Sequence, residues 1–181
     1  MKKYLFNFLI ILIAIVPLSF NGCILDALNT LTQNIPITQE FNVTSSLPSY
    51  SQSETIDLSN SSTYQRFSDK IQSIKFLQAE FRTKSVTPSD LSANVSITLK
   101  DNNGNLLFTY PLGQIKPSDY QNTPYQLSLT SSQINVINDY LSILSNKVFV
   151  ATISFTNITS SQLTYTINGV IDIVFTMNTK T

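Results

Sequence analysis

Residues 163–177, LTYTINGVIDIVFTM, decide the fold. Every odd position in this stretch is apolar or glycine: Leu163, Tyr165, Ile167, Gly169, Ile171, Ile173, Phe175 and Met177. Successive side chains on a pleated strand point to opposite sides, so this period of two predicts a strand that buries one face. The even positions mix Thr, Asn168 and Asp172 with Val170 and Val174, which predicts a second face that is only partly wet. Strands of this length are unusual, so Gly169 is expected to mark a bend or bulge.

The same period recurs upstream. Ala93, Val95, Ile97 and Leu99 alternate with polar partners. Asp101-Asn102-Asn103-Gly104-Asn105 then joins that strand to Leu106–Leu112 as a hairpin, because Asn and Gly tolerate positive φ. Further strands are expected over Ile35–Thr44, Glu54–Leu58, Ile74–Thr83, Tyr125–Leu129 and Lys147–Thr156. In Ile74–Thr83 the apolar residues change face between Phe76 and Leu77, which predicts a bulge. Two helices interrupt the series. Asn60-Ser61-Ser62 offers caps for a helix over 63–73, with Tyr64, Phe67 and Ile71 on one stripe. Thr130-Ser131-Ser132 can cap a second helix, in which Ile134, Ile137, Leu141 and Leu144 would face inward. Seven or eight short antiparallel strands with two short helices in connections predict a mainly β fold. The expected architecture is an antiparallel β-sandwich, immunoglobulin-like or jelly-roll-like.

The other end of the chain reads differently. Lys2 and Lys3 precede an apolar run from Tyr4 to Phe20, broken only by Asn7 and Ser19, and the run closes with Asn21, Gly22 and Cys23, the one cysteine of the chain. A charged head, an apolar stretch and a small residue before cysteine make a targeting segment. Leu18-Ser19-Phe20-Asn21-Gly22-Cys23 resembles the cleavage region of the type II signal peptide of bacterial lipoproteins. Gly22 fits that pattern, while Phe20 and Asn21 stand where its commonest version has Leu and then Ala or Ser. The resemblance, confined to residues 1–23, implies a lipidated Cys23 that becomes the new N-terminus. A membrane partner through the anchor follows. Ile24 and Leu25 follow the cysteine with no Asp at the second position, which by the same resemblance implies sorting to the outer membrane of a two-membrane host. Two other readings compete, a retained anchor helix and a free thiol left after ordinary secretion. The first is short against the ~20 residues that a spanning helix needs.

The expected organisation is therefore a signal peptide over 1–22, a lipidated tether over 23–34 and one sandwich domain over 35–181. Taking residues 1–22 from the 181 leaves 159, enough for a core of its own. With Lys2 and Lys3 gone, 9 basic residues face 11 acidic ones. That balance argues against nucleic acid as a partner, since phosphates call for a basic face.

Catalysis is argued against by residue type. The chain has no histidine, which removes the usual general base, the Ser-His-Asp arrangement and His-rich zinc sites. Its four glycines form no phosphate loop, and its eleven acids are scattered singly, without the close pair that glycoside hydrolysis needs. The Asp101–Asn105 loop has the alternating Asp and Asn oxygens that calcium needs, but its glycine is fourth instead of sixth and no Glu stands twelfth, so the hairpin turn is the expected reading. No cofactor and no metal are expected. Sequons at Asn42, Asn60, Asn94 and Asn157 are those expected by chance in an Asn-, Ser- and Thr-rich chain. Tyr110, Tyr120 and Tyr125 sit among prolines, either exposed to stack on a sugar or protein, or plugging the end of the sandwich. The functional expectation is a non-enzymatic interaction or structural module in the cell envelope, with another envelope protein or a glycan as its partner. The alternative is a carrier of lipid or another apolar ligand.

Overall fold

The computed structural model describes residues 30–181. The expected signal peptide over 1–22 and Cys23 lie outside the described residues. Eight strands follow in order: β1 (Thr30–Ser45), β2 (Tyr50–Asp57), β3 (Ile71–Thr87), β4 (Ser92–Asp101), β5 (Leu106–Ile115), β6 (Tyr125–Gln126), β7 (Val148–Thr159) and β8 (Tyr165–Lys180). Helix α1 (Ser62–Phe67) joins β2 to β3, and helix α2 (Ser131–Leu141) joins β6 to β7. Since β1 starts at Thr30, residues 30–34 belong to the domain, which begins earlier than the expected Ile35.

Strand β8 is the keel of the molecule. Its odd residues Tyr165, Ile167, Ile171, Ile173, Phe175 and Met177 are all buried. It pairs antiparallel with β1 from Thr30↔Lys180 to Ser45↔Tyr165 and, on its other side, with β3. A slip of one residue in either ladder would turn the apolar set to solvent, so burial holds the register. The four-stranded sheets have the orders β1-β8-β3-β6 and β2-β7-β4-β5. The antiparallel pairs β1 with β8, β2 with β7, β3 with β6 and β4 with β5 are nested. The chain is thus one long hairpin, rolled so that β3 also meets β8 and β4 also meets β7. That is a jelly roll, which decides between the two sandwich types expected.

Aromatic rings tie the two layers. Phe41 of β1 lies 5.7 Å from Phe155 of β7, and Phe149 of β7 stacks on Phe175 of β8 at 5.5 Å. With no cysteine among the described residues, this packing carries the fold.

The local departures from expectation have physical causes. Helix α1 stops at Phe67 instead of running to Ser73, because Ile71, Ser73 and Ile74 pair with Thr179, Asn178 and Met177 of β8. Tyr64, Phe67 and Ile71 still pack on the core, since the turn and strand carry the same stripe inward. The bulge expected in β3 is there. Phe76 and Gln78 pair with the consecutive residues Phe175 and Val174, so Leu77 is the extra residue and is 48% exposed. Thr130 caps α2 through Gln133 in a reciprocal capping box, and Ile137 and Leu141 face inward as expected. Leu144 does not, because the helix ends at Leu141 and leaves it exposed. Tyr125–Leu129 keeps only two strand residues before Thr130 starts the helix. A bulge lies at Gly169 as expected, but its extra residue is in the neighbouring strand: Thr83 and Ser85 pair with the consecutive Gly169 and Asn168, which leaves Lys84 of β3 unpaired in the ladder.

Candidate functional site

The roll places four connections at one end of the sandwich: β1–β2, β3–β4, β5–β6 and β7–β8. Thr30 and Lys180 pair at the opposite end. Sixteen residues of β1 separate the two ends, about 50 Å at ~3.3 Å per residue.

These loops are stitched together. Tyr165 Oη donates to the carbonyl of Leu47 at 2.8 Å, and the amide of Ile158 donates to that of Pro48 at 3.0 Å. Ser161 donates to Asp90 through its amide at 3.0 Å and its hydroxyl at 3.1 Å, and Ser118 Oγ donates to the carbonyl of Ser89 at 2.9 Å. A rim held in this way is a preformed surface, with its ordering entropy already spent in folding. On it Leu47 and Leu163 are 62% and 90% exposed, beside a depression of about 300 Å³ that Pro48 and Ile158 also border. Leu163, read from sequence as the first inward residue of the closing strand, is instead the most exposed large apolar side chain among the described residues.

A second feature lies below the rim, where β1, β2, β3 and β8 approach one another. An open cleft of about 440 Å³ is lined by Asn42, Gln52, Ser85 and Asn168, with Phe41 and Gly169 supplying its apolar part. The Glu40–Lys84 ion pair also lines it. Gly169 is there because nothing larger fits: a Cβ would stand 2.3 Å from Phe41 Cζ and 2.7 Å from the carbonyl oxygen of Arg82. Among the described residues three buried side-chain polar atoms lack a hydrogen-bond partner, and all gather around Gly169. Gln52 Oε1 and Asn168 Oδ1 belong to cleft residues, and Thr83, whose Oγ1 is the third, pairs with Gly169 in the sheet. Such groups are usually satisfied, so a cluster of three is a local anomaly.

No protein-family model matches this chain, and no curated protein matches it. Among solved structures the chain is similar to the VP2 subviral particle of infectious bursal disease virus, over 82% of its own length and 37% of that chain, at 12% identity and a TM-score of 0.39. It is similar to turnip yellow mosaic virus over 83% of its length and 95% of that chain, at 9% identity and a TM-score of 0.38. A structure of mud crab tombus-like virus matches over 84% of this chain and 82% of that one, at 11% identity and a TM-score of 0.38. The chain spans little more than a third of the infectious bursal disease virus chains it matches. The jelly-roll assignment rests on the strand order itself.

The residues singled out from sequence fall as follows. Tyr110, Tyr120 and Tyr125 come together, with Tyr125 centred 6.3 Å from Tyr110 and 5.4 Å from Tyr120. Tyr120 leans on Phe81 at 6.1 Å, and all three are half-buried against the core, which is the plugging arrangement. The hydrogen bond to Tyr110, followed by burial, raises the pKa of the Tyr125 hydroxyl. Asp101 is an internal turn group: Oδ1 accepts from the amides of Asn103 and Asn105, and Oδ2 from the Asn105 side chain, each at 2.8 Å. Chiefly through the Asn105 side chain, these bonds hold its carboxyl below the ordinary value. Among the described residues no three carboxylates gather where they could hold a metal ion. The cleft residues were not foreseen. Asn42, Gln52, Ser85 and Asn168 come from four strands far apart in sequence, and each reads alone as an ordinary solvent-face residue.

Proposed function

We propose that this protein is a lipid-anchored envelope module that acts by contact and not by catalysis, holding its interlocked loop end away from the membrane to which Cys23 is attached. The observation that carries the reading is the position of Thr30, at the opposite end of the sandwich from the four stitched loops. A chain tethered a few residues before Thr30 presents Leu47 and Leu163 about 50 Å from the bilayer, as estimated from the strand rise. The lipobox-like Phe20-Asn21-Gly22-Cys23 supports the anchor, and the absence of histidine from the whole chain supports the non-enzymatic reading. An outer-membrane location follows from Ile24 and Leu25 by resemblance. No observation favours the apolar-ligand carrier, since Ile171, Ile173 and Phe175 sit in one packed cluster with the facing sheet.

The test is growth with a radiolabelled fatty acid followed by membrane fractionation. The wild-type protein should carry label and sediment with membranes, and Cys23→Ala should be unlabelled and unprocessed. Label on Cys23→Ala would sink the assignment.

A further inference from the structure

From the cleft beneath the loop rim we infer a binding site for a neutral saccharide of one or two rings. The inference is independent of the anchor and of the loop end, so it can fail while the reading above stands.

Three properties of the cleft select that chemistry. Its volume of about 440 Å³ is within the roughly 300–1,000 Å³ of small-ligand sites. Its charge is balanced, because the one cation and one anion of the lining, Lys84 and Glu40, pair with each other. That favours neither an anionic nor a cationic ligand, and a lining dominated by carboxamides and a hydroxyl does not suit a lipid tail. What remains is a ligand dense in neutral hydroxyl groups.

The carboxamides of the lining carry the recognition. Gln52 Nε2 donates to Glu54 Oε1 at 3.1 Å, so turning the amide over would set two acceptors against each other. Its carbonyl oxygen is therefore the free end. Asn168 Nδ2 donates to Ser85 Oγ at 2.9 Å, and because that hydroxyl can donate as well as accept, this pair can serve a ligand in either sense. Gln52 Oε1 and Asn168 Oδ1 are both buried, so a ligand engages them only by turning the amides away from Glu54 and Ser85. The carboxamides of Asn42, Gln52 and Asn168 and the Ser85 hydroxyl donate and accept, which matches ligand hydroxyls that do both. The missing Cβ at Gly169 keeps the floor low.

Saturation-transfer NMR on the full chain in dodecylphosphocholine micelles, which carry no sugar head group, tests the site. The probes are cellobiose, maltose, lactose, mannobiose and N,N′-diacetylchitobiose. At least one should show saturable transfer, and Gln52→Leu and Asn168→Leu should each weaken it about five-fold or more, as expected for losing one neutral hydrogen bond. Leu163→Ala, on the rim, should leave it unchanged. Asn42→Ala, at an exposed position, is the second variant should Asn168→Leu shift the thermal midpoint. No transfer from any probe at about 10 mM would overturn the proposal. Binding that all three cleft variants leave intact would overturn it equally.

Discussion

Replacing Gly169 by alanine should destabilise this protein, although alanine in a strand ordinarily stabilises by about 0.5–1 kcal/mol over glycine through backbone entropy. The new methyl would meet Phe41 Cζ at 2.3 Å, Phe41 Cε1 at 2.8 Å and the Arg82 carbonyl at 2.7 Å. Phe41 is confined on its core side, being buried, stacked 5.9 Å from Phe81 and tilted against Phe155 at 5.7 Å. The Arg82 contact is with backbone, so β8 must also part from β3 across the Arg82↔Val170 and Thr83↔Gly169 pairs. Overpacking costs about 1–3 kcal/mol, and the backbone contact places this case at the upper end, about 3 kcal/mol. For a domain of this size that is a fall in Tm of roughly 6–12 °C. Urea unfolding followed by circular dichroism and tyrosine fluorescence measures it, since the chain has no tryptophan. Phe41→Ala alone should cost about 3–5 kcal/mol, and adding Gly169→Ala in that background should cost about 1 kcal/mol, a coupling near 2 kcal/mol. A neutral or stabilising Gly169→Ala, or strict additivity, would refute the close approach of ring and glycine.

Ile171→Ala and Ile173→Ala should each cost about 2–5 kcal/mol with unchanged binding of a fluorescent fatty acid, whereas small losses with altered binding would revive a hollow interior. Asp101→Asn should flatten the acid limb of stability. The folded-state pKa of Asp101 is lowered, so its contribution is present above the ordinary 3.8 and is lost as pH falls through the lowered value; midpoints from about pH 5 to 2 should converge for the two proteins. Thr130→Ala removes the acceptor for Gln133 N and should cost about 1 kcal/mol by urea titration, while Ser131→Ala should cost less than half of that.

Most of the fold's parts were legible because strand periodicity is a local signal. Residues 165–177 and 93–99 announce their buried faces, and the change of face between Phe76 and Leu77 announces the bulge. What could not be read is which strands meet. Glu40 and Val170 are neighbours through a ladder that joins the two ends of the domain, and no periodicity encodes that. Stripes also fail where two elements share them: Tyr64, Phe67 and Ile71 fit one helix, yet β8 recruits Ile71 into a sheet. The even face of β8 shows the same limit. Val170, expected on a partly wet face, is wholly buried, flanked in the sheet by its register partners Glu40 and Arg82. The cleft was invisible for the same reason, its amides being assembled from four strands by the rolling of the chain.

The pairing of Thr30 with Lys180 also sets a schedule for the making of this protein. Strand β1 comes first of the eight strands in chain order, and its partner β8 comes last. Until β8 is in place β1 has no neighbour in its own sheet, and 16 residues of backbone donors and acceptors wait in water. The hairpin of β4 and β5, closed by four intervening residues, can form early and locally. The closing ladder must instead join segments more than a hundred residues apart, the kind of distant pairing that slows β folds to milliseconds or seconds. By this topology the ladder of β1 and β8, which joins Thr30 to Lys180, is expected to close last.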